Sequence, residues 1–176
     1  FYYRFPNQKN GKVSSIVAKE MLFIEGDGDS TVLSLIEKKP RARFQIEELT
    51  KEYDEAFLSK VLSKGERLEL VSIGNHSKGT KFLNGNDWID KDLNEAIDQL
   101  AKEIPDFYFG RFDLRCESIE SLRALKNFKI MELNGAGAEP AHIYQPGYSL
   151  FKAYQSIYHH INVLSKISAI NNRRGF

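Results

Sequence analysis

Two stretches, "GRFDLR" at residues 110–115 and "IMELNG" at residues 130–135, decide how the chain is read. Both look like strands, yet they carry three hard oxygen donors, Asp113, Glu132 and Asn134, among apolar neighbours. Side chains alternate between the faces of a strand, so Glu132 and Asn134 project from one face while Met131 and Leu133 pack on the other. Asp113 can join them from a neighbouring strand. Magnesium takes oxygen ligands, keeps several waters and is usually shared between one or two carboxylates and substrate phosphates, so three protein oxygens suit it. The same residues also suit surface ion pairs, Asp113 with Arg111 or Arg115 and Glu132 with a lysine. The continuation "NGAGA" at 134–138 favours a ligand, because backbone without side chains lets one approach closely.

Outward from this pair, residues 1–5 and 12–23 read as two antiparallel strands, with Asn10-Gly11 supplying the positive φ of a hairpin turn. "GDGDSTVLSLIEKKP" at 26–40 turns on its glycines, caps a short helix with Ser30 or Thr31, and packs it through Val32, Leu35 and Ile36 before Pro40. Residues 42–60 alternate charged and apolar positions at helical spacing. "GERLELVSIG" at 65–74 and "TKFLNGN" at 80–86 form a strand pair around a polar loop. A helix over 90–104 turns Leu93, Ile97 and Leu100 inward and stops at Pro105. Strands at 107–116 and 128–134 flank a charged connection, and the longest helix, 148–170, carries Leu150, Tyr154, Ile157, Ile161 and Leu164. Without strict βαβ periodicity, the class is α+β with a largely antiparallel sheet flanked by helices.

Composition narrows the function. The 176 residues are 41% hydrophobic, enough for a real core, and the net charge of +1 argues against nucleic acid or an anionic membrane as the main partner. No apolar run approaches the roughly 20 residues of a membrane span. Cys116 is the only cysteine, which excludes an intrachain disulfide and, with no apolar leader, fits a cytoplasmic setting. Its simplest role is that of a small residue in a buried strand. The opening "FYYRF", strand-like and without Met, leads to the expectation that more chain precedes it.

The Arg-x-Asp strand "GRFDLR", followed by the Glu-x-Asn strand "IMELNG" and a loop of small residues, resembles the metal-binding end of the ATP-grasp superfamily, particularly D-alanine-D-alanine ligase-like enzymes. "GDGDSTVLSLI" is similar to the glycine-aspartate-glycine segment of cyanophycin-synthetase-like members. The resemblance implies that residues 1–176 are the C-terminal part of an ATP-grasp domain whose nucleotide-binding lobe and hinge lie upstream of Phe1. It implies ATP and Mg²⁺ as cofactors, with Asp113, Glu132 and Asn134 as metal ligands and Arg111 stabilising the transferring phosphoryl group. The implied reaction joins a small-molecule carboxylate to an amine through an acyl phosphate. A chain lacking the adenine-gripping lobe is expected to bind ATP weakly, to be inactive alone and to expose an apolar patch where that lobe docks.

By the same resemblance "IGNHSKGT" at 73–80 takes the place of a phosphate-facing loop, in which Lys78 neutralises phosphate and Asn75, His76 and Ser77 donate hydrogen bonds. A solvated hairpin turn is the plainer reading. Gly135, Ala136 and His142 are candidates for substrate contact, although a lone loop histidine is also at home in water. His159-His160 fits a helix surface facing solvent or capping the packing. The proline-glycine that follows the Glu-x-Asn strand of D-alanine ligases is replaced here by "GAGAEP", so the resemblance does not extend to D-alanine as acceptor. Two other readings share these residues: a noncatalytic binding or regulatory domain, and a phosphotransferase acting on a small molecule.

Overall fold

The structure, a computed structural model, describes residues 1–71 and 79–175. In chain order it runs β1 (Tyr2–Tyr3), β2 (Lys12–Val13), β3 (Val17–Glu20), β4 (Phe23–Glu25), α1 (Val32–Lys38), α2 (Pro40–Arg43), α3 (Ile46–Glu52), α4 (Glu55–Leu58), β5 (Arg67–Glu69), β6 (Lys81–Asn84), α5 (Lys91–Lys102), β7 (Phe109–Cys116), α6 (Ile119–Arg123), β8 (Phe128–Asn134) and α7 (Leu150–Arg173). The class is α+β, with antiparallel sheets flanked by helices. The chain forms two compact units, one of Phe1–Ala18 with everything from Leu83 onward and one of Lys19–Phe82.

In the first unit the sheet order is β2-β1-β7-β8, and each neighbouring pair is antiparallel. Strand alternation gives this sheet two apolar faces. Tyr2, Phe112, Leu114 and Cys116 meet Leu93, Ile97 and Ala101 of α5 and Leu122 of α6. Tyr3 and Phe109 meet Val163 and Ile167 of α7. The sheet is therefore the middle layer, and odd-numbered positions of β7 face α7. Helix α5 begins where Asp90 accepts from the Leu93 amide at 2.8 Å, and Leu93, Ala96, Ile97 and Ala101 form its buried stripe. Asp98 on that stripe is only 7% exposed, and its carboxylate accepts from Tyr2 Oη at 2.7 Å, the Gly11 amide at 2.7 Å and Lys102 Nζ at 2.5 Å.

Gly11 is required for a reason other than turn geometry. Neither Asn10 nor Gly11 has a positive φ. A Cβ on Gly11 would lie 2.2 Å from Tyr2 Oη and 2.6 Å from the Tyr3 carbonyl, so glycine is there for close approach to β1. The expected strand over 12–23 is broken into β2, β3 and β4. The long helix packs through His160, Val163 and Ile167, while Leu150, Tyr154 and Ile161 remain 70%, 65% and 60% exposed. Among the described residues no helix is long and apolar enough to cross a membrane.

In the second unit β4 and β5 pair antiparallel, Phe23 opposite Glu69 and Glu25 opposite Arg67. Among the described residues the expected pairing of 65–74 with 80–86 is not formed: β5 pairs with β4, and β6 pairs with β3. The ladder of β4 and β5 is continued by the Leu70 amide, which donates to the Leu22 carbonyl at 2.8 Å. Thr31 caps α1, accepting from the Ser34 amide, and Val32, Leu35 and Ile36 bury against Ile24, Leu49, Leu62 and Leu70. The helical pattern over 42–60 is divided among α2, α3 and α4 because Tyr53 is extended and Asp54 starts a new helix by accepting from the Phe57 amide at 2.8 Å.

Candidate functional site

β7 and β8 are adjacent, and their register pairs Arg111 with Asn134, Phe112 with Leu133 and Asp113 with Glu132. Directly opposed residues of an antiparallel pair share a face, so Arg111, Asp113, Glu132 and Asn134 all lie on the face that carries Phe109. Opposed Cβ atoms in such pairs are about 4.5–5.5 Å apart. Immediately beyond Asp113 the register shifts, Leu114 pairing with Ile130, so Met131 is the extra residue of a bulge. β8 is also the edge strand of its sheet. Met131 and Leu133 consequently stay 65% and 40% exposed rather than packing as the alternation alone predicts.

Arg111 is held from two sides. Its Nε donates to Asp113 Oδ1 at 2.6 Å and its Nη2 to Oδ2 at 3.4 Å, while Nη1 donates to the Glu139 carbonyl at 3.2 Å. The side chains of Arg111 and Asp113 are 21% and 15% exposed, so this ion pair is better shielded from water than a surface pair. Of the pairings the sequence leaves open for Asp113, the one with Arg111 is formed. Glu132 is exposed, and the Asn134 Nδ2 is shut off from solvent with no hydrogen-bond partner.

The loop after β8 turns at once, the Ala138 amide donating to the Gly135 carbonyl at 2.9 Å. Gly135 and Ala136 are exposed, and a Cβ on Gly135 or Gly137 would meet nothing within 4 Å, so the fold itself does not demand glycine there. The loop is then tied down. Tyr144, in a 3-10 turn over Ala141–Tyr144, donates its Oη to Glu139 Oε1 at 2.6 Å. That bond, with burial and the glutamate's charge, pushes the Tyr144 phenol up to about 12.

His142 is 3% exposed, neither solvated nor open to the loop surface. Its Nε2 lies 3.5 Å from Ser156 Oγ of α7, its Nδ1 has no partner, and its ring meets Tyr148 edge-on at 5.5 Å. Burial, and secondarily the charge of His160, lowers its pKa to about 4. His160 is buried as well, bonded through Nδ1 to the Ser156 carbonyl at 2.7 Å and through Nε2 to Ser14 Oγ at 2.9 Å. It caps packing and does not face solvent. Cys116 is partly buried against the α5 face of the sheet, and burial raises its thiol pKa.

Asn75, His76, Ser77 and Lys78 lie outside the described residues. Among the described residues no three His, Cys, Asp or Glu side chains are gathered to hold a metal ion. The Asp113 set has two carboxylates and an amide, a donor chemistry that fits a hard divalent cation completed by water and phosphate. Glu139 and Tyr144 escaped the sequence reading, since a backbone carbonyl that accepts from an arginine 28 residues earlier leaves no signature in side-chain spacing. No protein-family model matches the chain, and no curated protein matches it.

Proposed function

We propose that the chain is the catalytic portion of an ATP-grasp ligase that joins a small-molecule carboxylate to an amine through an acyl phosphate. The observation that supports this reading is the register that sets Asp113 opposite Glu132 and Asn134 opposite Arg111, which brings two carboxylates, an amide and a guanidinium to one strand face. The side chains at those four positions contribute little to either apolar core, so packing does not explain their chemistry.

Asp113, Glu132 and Asn134 would hold Mg²⁺, which supplies charge neutralisation at the phosphates of bound ATP. In the proposed reaction a substrate carboxylate oxygen attacks the γ-phosphorus, the bond to the β-phosphate oxygen breaks, and ADP leaves. The amine then attacks the acyl carbon, loses a proton and expels inorganic phosphate. Arg111 stabilises the negative charge of the transferring group, an electrostatic role that needs no protein nucleophile. Gly135 and Ala136 leave room for the acceptor, and buried His142 supports their loop from beneath. Lys78, Asn75 and His76 belong to the proposed phosphate-facing loop.

The Arg111–Asp113 ion pair favours a second reading, a noncatalytic ATP-grasp-like domain in which Asp113 is already satisfied by Arg111. A phosphotransferase would share the cation site and differ in its acceptor. The experiment that separates the three is ADP release by the full-length protein over a panel of amino acids and short peptides. A ligase shows release that depends on acid and amine together, a phosphotransferase yields a stable phosphorylated product, and a binding domain releases none.

A further inference from the structure

Arg111 divides its guanidinium between Asp113 and the Glu139 carbonyl, and Glu139 is in turn fixed by Tyr144. The division matters because Asp113 is wanted twice, by the guanidinium and by a cation. Asp113 takes the Nε and Nη2 edge of the guanidinium through both its oxygens, which leaves Nη1 as the donor that can face the loop. The Nη1 bond to the Glu139 carbonyl holds that edge of the guanidinium toward the loop. That carbonyl belongs to an exposed segment rich in small residues, which has no element of its own to fix it. The 2.6 Å bond from Tyr144 to the Glu139 side chain fixes it, and Tyr144 is itself anchored because its turn includes the buried Ala141 and His142.

We infer that Tyr144 and Glu139 are positioning residues for Arg111, forming a clamp that keeps its guanidinium shared between Asp113 and the loop after β8. The inference rests on the proposed phosphoryl-transfer role of Arg111 for its kinetic consequence, but the clamp itself is a matter of hydrogen bonds.

The test has two arms in the full-length protein. In the first, the Nη–H resonances of Arg111 are assigned by their loss in Arg111→Lys, and their exchange with solvent is followed by NMR, since Nη1 is the donor to the Glu139 carbonyl. Exchange is expected to speed up in Tyr144→Phe and Glu139→Ala, and to stay near the parent rate in Glu139→Gln, which keeps an oxygen for Tyr144 Oη. In the second arm, ADP release is measured at saturating and limiting ATP. Tyr144→Phe and Glu139→Ala are expected to lower kcat and kcat/KM together by about tenfold, the signature of an interaction made in the transition state, and Glu139→Gln restores most of that loss. Unchanged Arg111 exchange in Tyr144→Phe and Glu139→Ala overturns the clamp whatever the activity. Faster exchange in these two variants of a parent protein that itself releases no ADP upholds the clamp and rejects the ligase reading instead. A fall in melting temperature with kcat intact would reduce both residues to structural support and contradict the inference.

Discussion

Asp113 and Glu132 stand directly opposite one another across the β7–β8 ladder, at the last register position before the bulge. Two carboxylates so placed repel each other, and of the pair Asp113 is the one paired with Arg111 while Glu132 is exposed. The two residues therefore have opposite consequences for stability. Glu132→Gln relieves a like-charge contact and is expected to change the unfolding free energy by no more than about 0.5 kcal/mol, in the stabilising direction if at all. Asp113→Ala leaves a largely shielded guanidinium without its partner and is expected to cost about 1–3 kcal/mol. Urea denaturation of the two variants beside the parent checks the contrast, and a larger loss in Glu132→Gln would refute it.

The buried Asp98 gives a second prediction. Burial alone would raise its pKa, but hydrogen bonds from Lys102, Tyr2 and the Gly11 amide outweigh that and hold it below the usual carboxylate range. Tyr2→Phe removes one donor and is expected to cost about 1–2 kcal/mol. Asp98→Ala strands the Tyr2 hydroxyl and the Gly11 amide and is expected to cost about 3 kcal/mol or more. Equal midpoints for the two variants in denaturant would contradict the assignment of Asp98 as the hub.

Much of this was legible in the sequence, and the parts that were not share a cause. The helix capped by Asp90, the short helix capped by Thr31 and the two strands carrying Asp113 and Glu132 are local patterns of caps and alternation, and the structure forms each of them. Pairing partners are not local. Strand β5 alternates equally well whether it meets β4 or β6, and the choice is made by packing of Leu22, Leu62 and Leu70 in one core. On α7 the pattern of Leu150, Tyr154, Ile157, Ile161 and Leu164 points to a different face from the one that packs, because the stripe of His160, Val163 and Ile167 includes a histidine whose ring is satisfied by Ser14 and the Ser156 carbonyl. At the candidate site, alternation predicts that Glu132 and Asn134 share a face. Their register against Asp113 and Arg111 is tertiary, as is the clamp through Glu139.

The buried histidines predict a specific acid sensitivity. His142 is held neutral, its pKa lowered from the ordinary 6.5 to about 4 by burial and then by His160, and burial lowers His160 too, against its bond to Ser156. A base whose folded pKa is depressed takes up protons on unfolding, so stability is full above about pH 6.5 and falls as pH drops toward 4. Each unit of depression corresponds to about 1.4 kcal/mol, so the loss across this window is a few kcal/mol. Urea midpoints from pH 7.5 to 4.5 should fall accordingly, and His142→Phe should flatten the slope. An unchanged slope in that variant would show that other groups govern acid unfolding.

The exposed stripe of α7 makes a further prediction. Leu150, Phe151, Tyr154, Tyr158 and Ile161 are each at least 60% exposed on one helix, and contiguous exposed apolar surface binds hydrophobic partners. The chain of residues 1–176 is expected to enhance the fluorescence of a hydrophobic dye while giving the far-ultraviolet and near-ultraviolet dichroism of a packed protein. Replacement of Tyr154 and Tyr158 by serine should reduce the enhancement by half or more without moving the unfolding midpoint. Dye binding that persists in the double variant would place the exposed apolar surface elsewhere.

The proposal as a whole stands on one measurement, ADP release by the full-length protein with Mg²⁺-ATP and a panel of amino acids and short peptides, run in parallel with Glu132→Gln. The account predicts release that requires both a carboxylate and an amine in the parent, and its loss in Glu132→Gln while the melting curve is retained. Equal turnover in parent and variant, or no acceptor-dependent release from a folded parent, would contradict it.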